Sequence, residues 1–279
     1  VLPHVANFQI IQSYQVNGNN MKNYLLIITL ISLTSCTKFV WEDRSECPCI
    51  LTLDLSNVDK NVSELHLWIF GEDNSILSRD TIAPDRFGGT YDVLIKREMV
   101  KYYVWGNIKG ATKLQDNLTL NSTLTKVENS SADSLYHYSK QLSTNFESQI
   151  DTVYLNKEFI TLYFYLDGKP EIVGSEIIIE ITSSGGYYLD GSIINSASNV
   201  QSTITPAENY CSIRLTRQKI EDMYLLLYSQ TDTQKVLIDK YCLGILLKQN
   251  KYDMHSILLQ DIIIEIDFSN TFINLLLTT

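Results

Sequence analysis

The chain has 279 residues, with 22 Lys and Arg against 32 Asp and Glu, giving a formal net charge of −10. That acidic balance argues against nucleic acid as a partner, because phosphate binding needs a basic face. With four histidines and five cysteines, and no paired CxxC spacing, neither a zinc site nor a CxxC redox motif is present.

In chain order the first predicted element is the stretch Met21 to Cys36, MKNYLLIITLISLTSC. One lysine, a short apolar run from Tyr24 to Leu33 and small residues before a cleavage point make a secretory signal. Here the small residues stop at a cysteine, Leu33-Thr34-Ser35-Cys36, which is the lipobox pattern of a bacterial lipoprotein. The run is short of the roughly 20 apolar residues that a spanning helix needs. The expectation is therefore cleavage before Cys36, lipidation of its sulfur, and a domain held at a membrane surface by several acyl chains. Residues 1–20 carry no charge and precede the methionine at which a signal should start. They read as translated upstream sequence, with 21–35 as the signal peptide and 36–46 as a lipid-anchored linker.

The body reads as strand after strand. Ile50–Leu55, Leu65–Phe70, Ser75–Ile82, Thr90–Ile95 and Lys101–Asn107 are rich in β-branched and aromatic residues. Gly71–Asn74, Ala83–Asp85 and Phe87–Gly89 supply turn chemistry between them. From Ala111 to Gln149 the chain becomes rich in Asn, Ser and Thr, which predicts a long polar connection. Strands resume over Asp151–Leu155, Phe159–Leu166, Ser175–Ile181 and Tyr187–Ile194, with turns at Asp167–Pro170 and Ser183–Gly186. Tyr210–Leu215, Tyr224–Tyr228, Lys235–Asp239, Cys242–Leu247 and Ser256–Phe268 complete the series. Helix is expected only as short turns near Lys109–Leu114 and Thr216–Asp222. The predicted fold is all-β: two β-sandwiches, 47–149 and 150–279, the first ending in the polar connection.

The search for chemistry is mostly negative. His66, His137 and His255 are scattered without HExxH spacing, and no nucleophile elbow, Walker loop or dinucleotide fingerprint follows a strand. No enzyme activity and no cofactor is expected. Cys47-Pro48-Cys49 is too close in sequence to bridge to itself without strain. Cys211 and Cys242 lie in separate apolar runs and either pair across neighbouring strands or stay as buried thiols. In the pairs Tyr102-Tyr103 and Tyr187-Tyr188, alternation along a strand puts one ring of each outside the core.

A lipobox, an acidic and aromatic stretch (Phe39-Val40-Trp41-Glu42-Asp43-Arg44-Ser45-Glu46), Cys47-Pro48 leading into an alternating strand, and Tyr103-Val104-Trp105-Gly106-Asn107 follow in that order. This order resembles the fimbrillin-associated anchor and assembly lipoproteins of the Bacteroidales. It covers Met21 to about Asn107, and Cys49 departs from the single cysteine expected before the first strand. The resemblance implies tandem transthyretin-like (Greek-key) sandwiches, an outer-membrane, cell-surface location and a role in fimbriae (pili) and cell adhesion. It also implies fimbrillin or other fimbrial subunits as partners through β-strand addition. Asp80-Thr81-Ile82, Asp133-Ser134-Leu135 and Asp151-Thr152-Val153 resemble the O-glycosylation pattern of exported Bacteroidales proteins, with Ser134 the best placed in the polar connection. The C-terminal run Ile257–Leu277 is either a donor strand or the last strand of the second sandwich. A surface glycan-binding lipoprotein is the alternative reading, since it would share the anchor, the sandwich and exposed tyrosines.

Overall fold

Alternation along Cys49–Asp54 puts Cys49, Leu51 and Leu53 on one face, where all three are fully buried. The structure, a computed structural model, describes residues 47–168, 176–221, 223–257, 259–269 and 272–277. The signal-like segment and Cys36 lie outside the described residues. The first ten strands are β1 (Cys49–Asp54), β2 (Leu65–Phe70), β3 (Ile76–Ile82), β4 (Thr90–Ile95), β5 (Met99–Gly106), β6 (Thr112–Leu114), β7 (Thr123–Lys126), β8 (Tyr136–Ser143), β9 (Ser148–Thr152) and β10 (Asn156–Lys157). β4-β1-β9 form a three-stranded sheet, with β9 parallel to β1, and β10-β8-β5-β2-β3 form a five-stranded sheet. Leu51, Leu53, Leu65, Leu67, Val100 and Val104 fill the core that these two sheets share. Asp151 enters this core from β9 and accepts hydrogen bonds from Tyr102, Tyr138 and Lys140 of the opposite sheet.

The remaining strands are β11 (Phe159–Asp167), β12 (Glu176–Tyr188), β13 (Ile193–Ile204), β14 (Tyr210–Thr216), β15 (Tyr224–Gln230), β16 (Lys235–Cys242), β17 (Ile262–Asp267) and β18 (Phe272–Leu277). β14-β11-β17-β18 form a four-stranded sheet, and β16-β15-β12-β7-β6 a larger one, with β13 paired to β12. Ile160, Leu162, Phe164, Ile179, Leu225 and Ile264 belong to the core of this second half.

The polar stretch 111–149 is not the loop its composition predicts; it holds β6, β7, β8 and the first two residues of β9. β6 and β7 leave the first half, β7 pairing with β12 and β6 with β7, so the larger sheet of the second half contains strands from the first. The expected boundary at 149/150 falls inside β9, which pairs with β1. A third core, containing Trp68, Phe70, Tyr103, Trp105, Leu124, Leu135, Tyr187 and Leu189, lies where these elements meet. It covers the outer face of the five-stranded sheet. Tyr102 and Tyr103 are therefore both buried, against the expectation that one ring would be free, whereas Tyr188 is exposed beside buried Tyr187.

Other corrections follow from packing. Ser183–Gly186 is no turn: β12 runs through it with a register irregularity between Ser184 and Gly186. Gly186 has φ +146, and a Cβ there would run into the Leu124 carbonyl of β7. The reversal comes later, at Asp190-Gly191, so Tyr187–Ile194 is not one strand. The apolar run Cys242–Leu247 continues not as a strand but as the single α-helix among the described residues, α1 (Leu243–Gln249), with Leu243, Gly244 and Leu247 buried. A short apolar run cannot be told from a helix turn by periodicity. Among the described residues no helical turn forms at 109–114 or 216–221, and a 3-10 turn forms instead at Pro84–Arg86.

Candidate functional site

The C-terminal strand is the element whose chemistry the sequence left open, and its geometry decides between two states. β17 is strongly apolar on its inner face: Ile262, Ile264 and Ile266 are fully or nearly fully buried. β18 lies antiparallel on it, from Ile262 opposite Leu277 to Asp267 opposite Phe272. Leu275 is buried, and Ile273 and Leu277 pack against the same core. On the outer face Leu276 stays 44% exposed, and Asn274 Nδ2 donates to Glu265 Oε2 at 3.2 Å. The tail is thus the last strand of its own sheet. β18 ends the sheet order, so among the described residues its outer rim has no neighbouring strand. An unpaired rim of N–H and C=O groups invites another chain.

A second edge is β16, the outermost strand of the larger sheet, where Val236, Leu237 and Ile238 are all exposed. Lys235 pairs with Glu180 at 3.2 Å, and Lys240 stands over the Tyr224 ring. Charged side chains on an edge discourage unspecific pairing.

The junction of the halves is built from charge. Arg217 Nε donates to Glu158 Oε2 at 2.8 Å, and its other nitrogens donate to the carbonyls of Lys157, Met254 and Ser256. Tyr187 Oη donates to the Glu158 carbonyl and accepts from the Arg217 N–H. Burial pushes the Glu158 carboxyl up to about 7, with the Arg217 guanidinium pulling the other way. Lys157 and Thr161 N–H both donate to Asp261 Oδ1, at 2.7 and 2.8 Å. No local motif announces this network, because its members come together only through long-range pairing.

The residues singled out from sequence fare unevenly. Cys47 is exposed and Cys49 buried, both as free thiols. Of the two alternatives for Cys211 and Cys242, the structure has both as free thiols, buried and half-buried, on β14 and β16 of different sheets. Ser134 does not sit in an open connection. It is half-buried between buried Asp133 and Leu135, and its hydroxyl and carbonyl both accept from Asn107 Nδ2. Thr81, in the first of the matching tripeptides, is exposed on edge strand β3. No cluster of three or more His, Cys, Asp or Glu suited to a metal occurs among the described residues. No helix among them is long and apolar enough to cross a membrane.

A sequence model described as fimbrillin-A associated anchor proteins Mfa1 and Mfa2 matches residues 44–276. The chain belongs to this family. It is a family of fimbrial anchor proteins, not of enzymes. No curated protein matches the chain. Among solved structures, the fimbrial anchor protein Mfa2 from Porphyromonas gingivalis is similar, with a TM-score of 0.58 and 15% identity over 82% of this chain and 96% of that one. A proposed polysaccharide-binding protein from Bacteroides thetaiotaomicron gives 0.59 and 13% over 83% and 98%. A proposed adhesin from Bacteroides ovatus gives 0.58 and 12% over 84% and 94%. At these identities the likeness is one of fold.

Proposed function

We propose that this protein is a fimbrial anchor or assembly subunit, held at the outer membrane through acylated Cys36 and joined to fimbrillin or another fimbrial subunit by strand addition. In this reading residues 21–35 are a removed signal and the two halves are transthyretin-like sandwiches. The observation that carries it is the open rim of β18 in a chain that belongs to the fimbrial anchor family. A partner strand laid along that rim would add main-chain hydrogen bonds worth about 1 kcal/mol net each. Apolar side chains brought from water would add roughly 25 cal/mol per Å².

Truncation after Phe268 tests the joint. The shortened protein is expected to remain folded, with lower stability because Leu275 leaves the core, and to lose its capture of a fimbrillin in a pull-down. Normal folding with undiminished capture would show that this edge is not the joint. Collapse of the fold would make the tail a core strand first.

Cys36→Ala tests the anchor. The variant is expected to leave the membrane fraction or to keep an uncleaved signal. Unchanged fractionation, with a mature N-terminus elsewhere, would refute lipidation at this residue.

A further inference from the structure

The two outer faces of the first half differ. The five-stranded sheet is covered by the third core, whereas the three-stranded sheet β4-β1-β9 has an outer face that carries exposed apolar side chains. By register, Ile50 lies directly opposite Leu94 on β4, and Thr52 opposite Ile150 on β9. Ile50 is 43% exposed, Leu94 68% and Ile150 67%. Phe146, just before β9, is 61% exposed, and the Ile50 N–H donates to the carbonyl of its neighbour Glu147 at 3.0 Å. Ile50, Leu94 and Phe146 sit towards the end where the chain enters β1, and Ile150 lies one row further in, level with Thr52 and Asp92. Polar groups share the face: Ser148 lies opposite Ile50, Thr52 Oγ1 donates to Asp92 Oδ1 at 2.6 Å, and the far end is formed by Asp54, Thr90 and Thr152. Lys96, the next outward-facing position after Leu94, is exposed with its ammonium 3.5 Å from Glu98.

An exposed apolar cluster of this kind marks an interaction surface. What covers it follows from the chain that leads to it. Only residues 37–48 separate Cys36 from β1, a reach of at most about 45 Å even when fully extended. Such a short tether holds this end of the sheet at high effective concentration against whatever Cys36 is bound to.

We infer that Ile50, Leu94, Phe146 and Ile150 form a second membrane contact, seating the tether end of the three-stranded sheet in the surface of a lipid bilayer. The inference rests on the anchor reading above. The acyl chains supply the attachment, and the patch supplies orientation. Seated in this way, the four apolar side chains meet acyl chains and the Asp54–Thr90 end of the face stays in water.

The test uses the full acylated protein, purified from membranes in detergent and reconstituted into phosphatidylethanolamine–phosphatidylglycerol vesicles. These vesicles contain a phospholipid with a photoactivatable diazirine in its acyl chain. After illumination, peptide mass spectrometry is expected to find lipid adducts at Ile50, Leu94, Phe146 and Ile150 and none at Thr90, Asp54 or Thr152, at the far end of the same face. The double variant Leu94→Asp, Ile150→Asp should lower adduct yield at this face several-fold while flotation with vesicles is unchanged. A protein that floats yet carries no adducts on this face overturns the inference and leaves the anchor intact. A protein that neither floats nor carries an acyl mass on Cys36 overturns both. Protection of the patch from a water-soluble carbene reagent without vesicles would assign the face to a second copy, and would also overturn it.

Discussion

Replacing Arg217 by alanine is expected to destabilise the protein by about 3–5 kcal/mol, because removing one partner of a buried ion pair leaves the other charge uncompensated. Glu158 and Arg217 have side chains only 7% and 13% exposed. The arginine also satisfies three carbonyls, at Lys157, Met254 and Ser256. Arg217→Lys should recover only a fraction of the loss, since an ammonium cannot reproduce the planar fork. The sign with pH is fixed by Glu158. Its folded value, raised to about 7 from 4.5, means that its contribution is fully present below pH 4.5 and is lost as pH rises through 7. Without Arg217 to oppose burial that loss becomes larger. The gap between wild type and Arg217→Ala should thus widen from acid to neutral pH. Urea denaturation across that range reads both effects; a variant as stable as wild type at neutral pH would show that the network is incidental.

The second large effect is a pH dependence at His137. This imidazole is buried against Trp105, with ring centroids 4.4 Å apart, and burial lowers its pKa to about 4 from 6.5. A depressed folded pKa gives stability that is present above pH 6.5 and lost as pH falls through 4. The shift corresponds to about 3 kcal/mol. Glu158 acts in the opposite sense over the same window, so wild-type stability alone would hide the effect. The difference between wild type and His137→Asn isolates it. That difference should shrink steadily between pH 6.5 and 4, and a flat difference would mean that His137 is not held neutral.

Legibility from sequence follows the environment of each strand. β2 and β4 are readable to the residue, and β1 to within one at each end, because turn residues bracket short, strongly apolar or alternating runs. The 111–149 stretch reads wrongly as a loop because its strands carry few large apolar residues. Leu124 and Leu135 enter the third core, while Thr123, Thr125 and Ser139 dilute the pattern. The same core hides Trp68 and Tyr103, so alternation fails where both faces of a sheet are covered. The β18 edge is legible as a choice between two states, and only register with β17 shows which one the isolated chain adopts. The exposed apolar patch of the three-stranded sheet is invisible: Ile50, Leu94 and Ile150 belong to three strands far from one another in sequence, and each alone is an ordinary exposed residue.

In the proposed role, with the chain attached through the segment before β1, the protein bears tension, and the placement of β1 has a mechanical consequence. It is the middle strand of its sheet, held by six register pairs to β4 on one side and five to β9 on the other. A pull applied through the residues before Cys49 runs along the strand axis, so both rows of hydrogen bonds are loaded together in shear. A strand at a sheet margin pulled sideways would instead lose its bonds singly, in sequence. Rupture of the N-terminal attachment therefore requires concerted failure of two ladders, and the force needed should exceed that for peeling β18 from the opposite end of the chain.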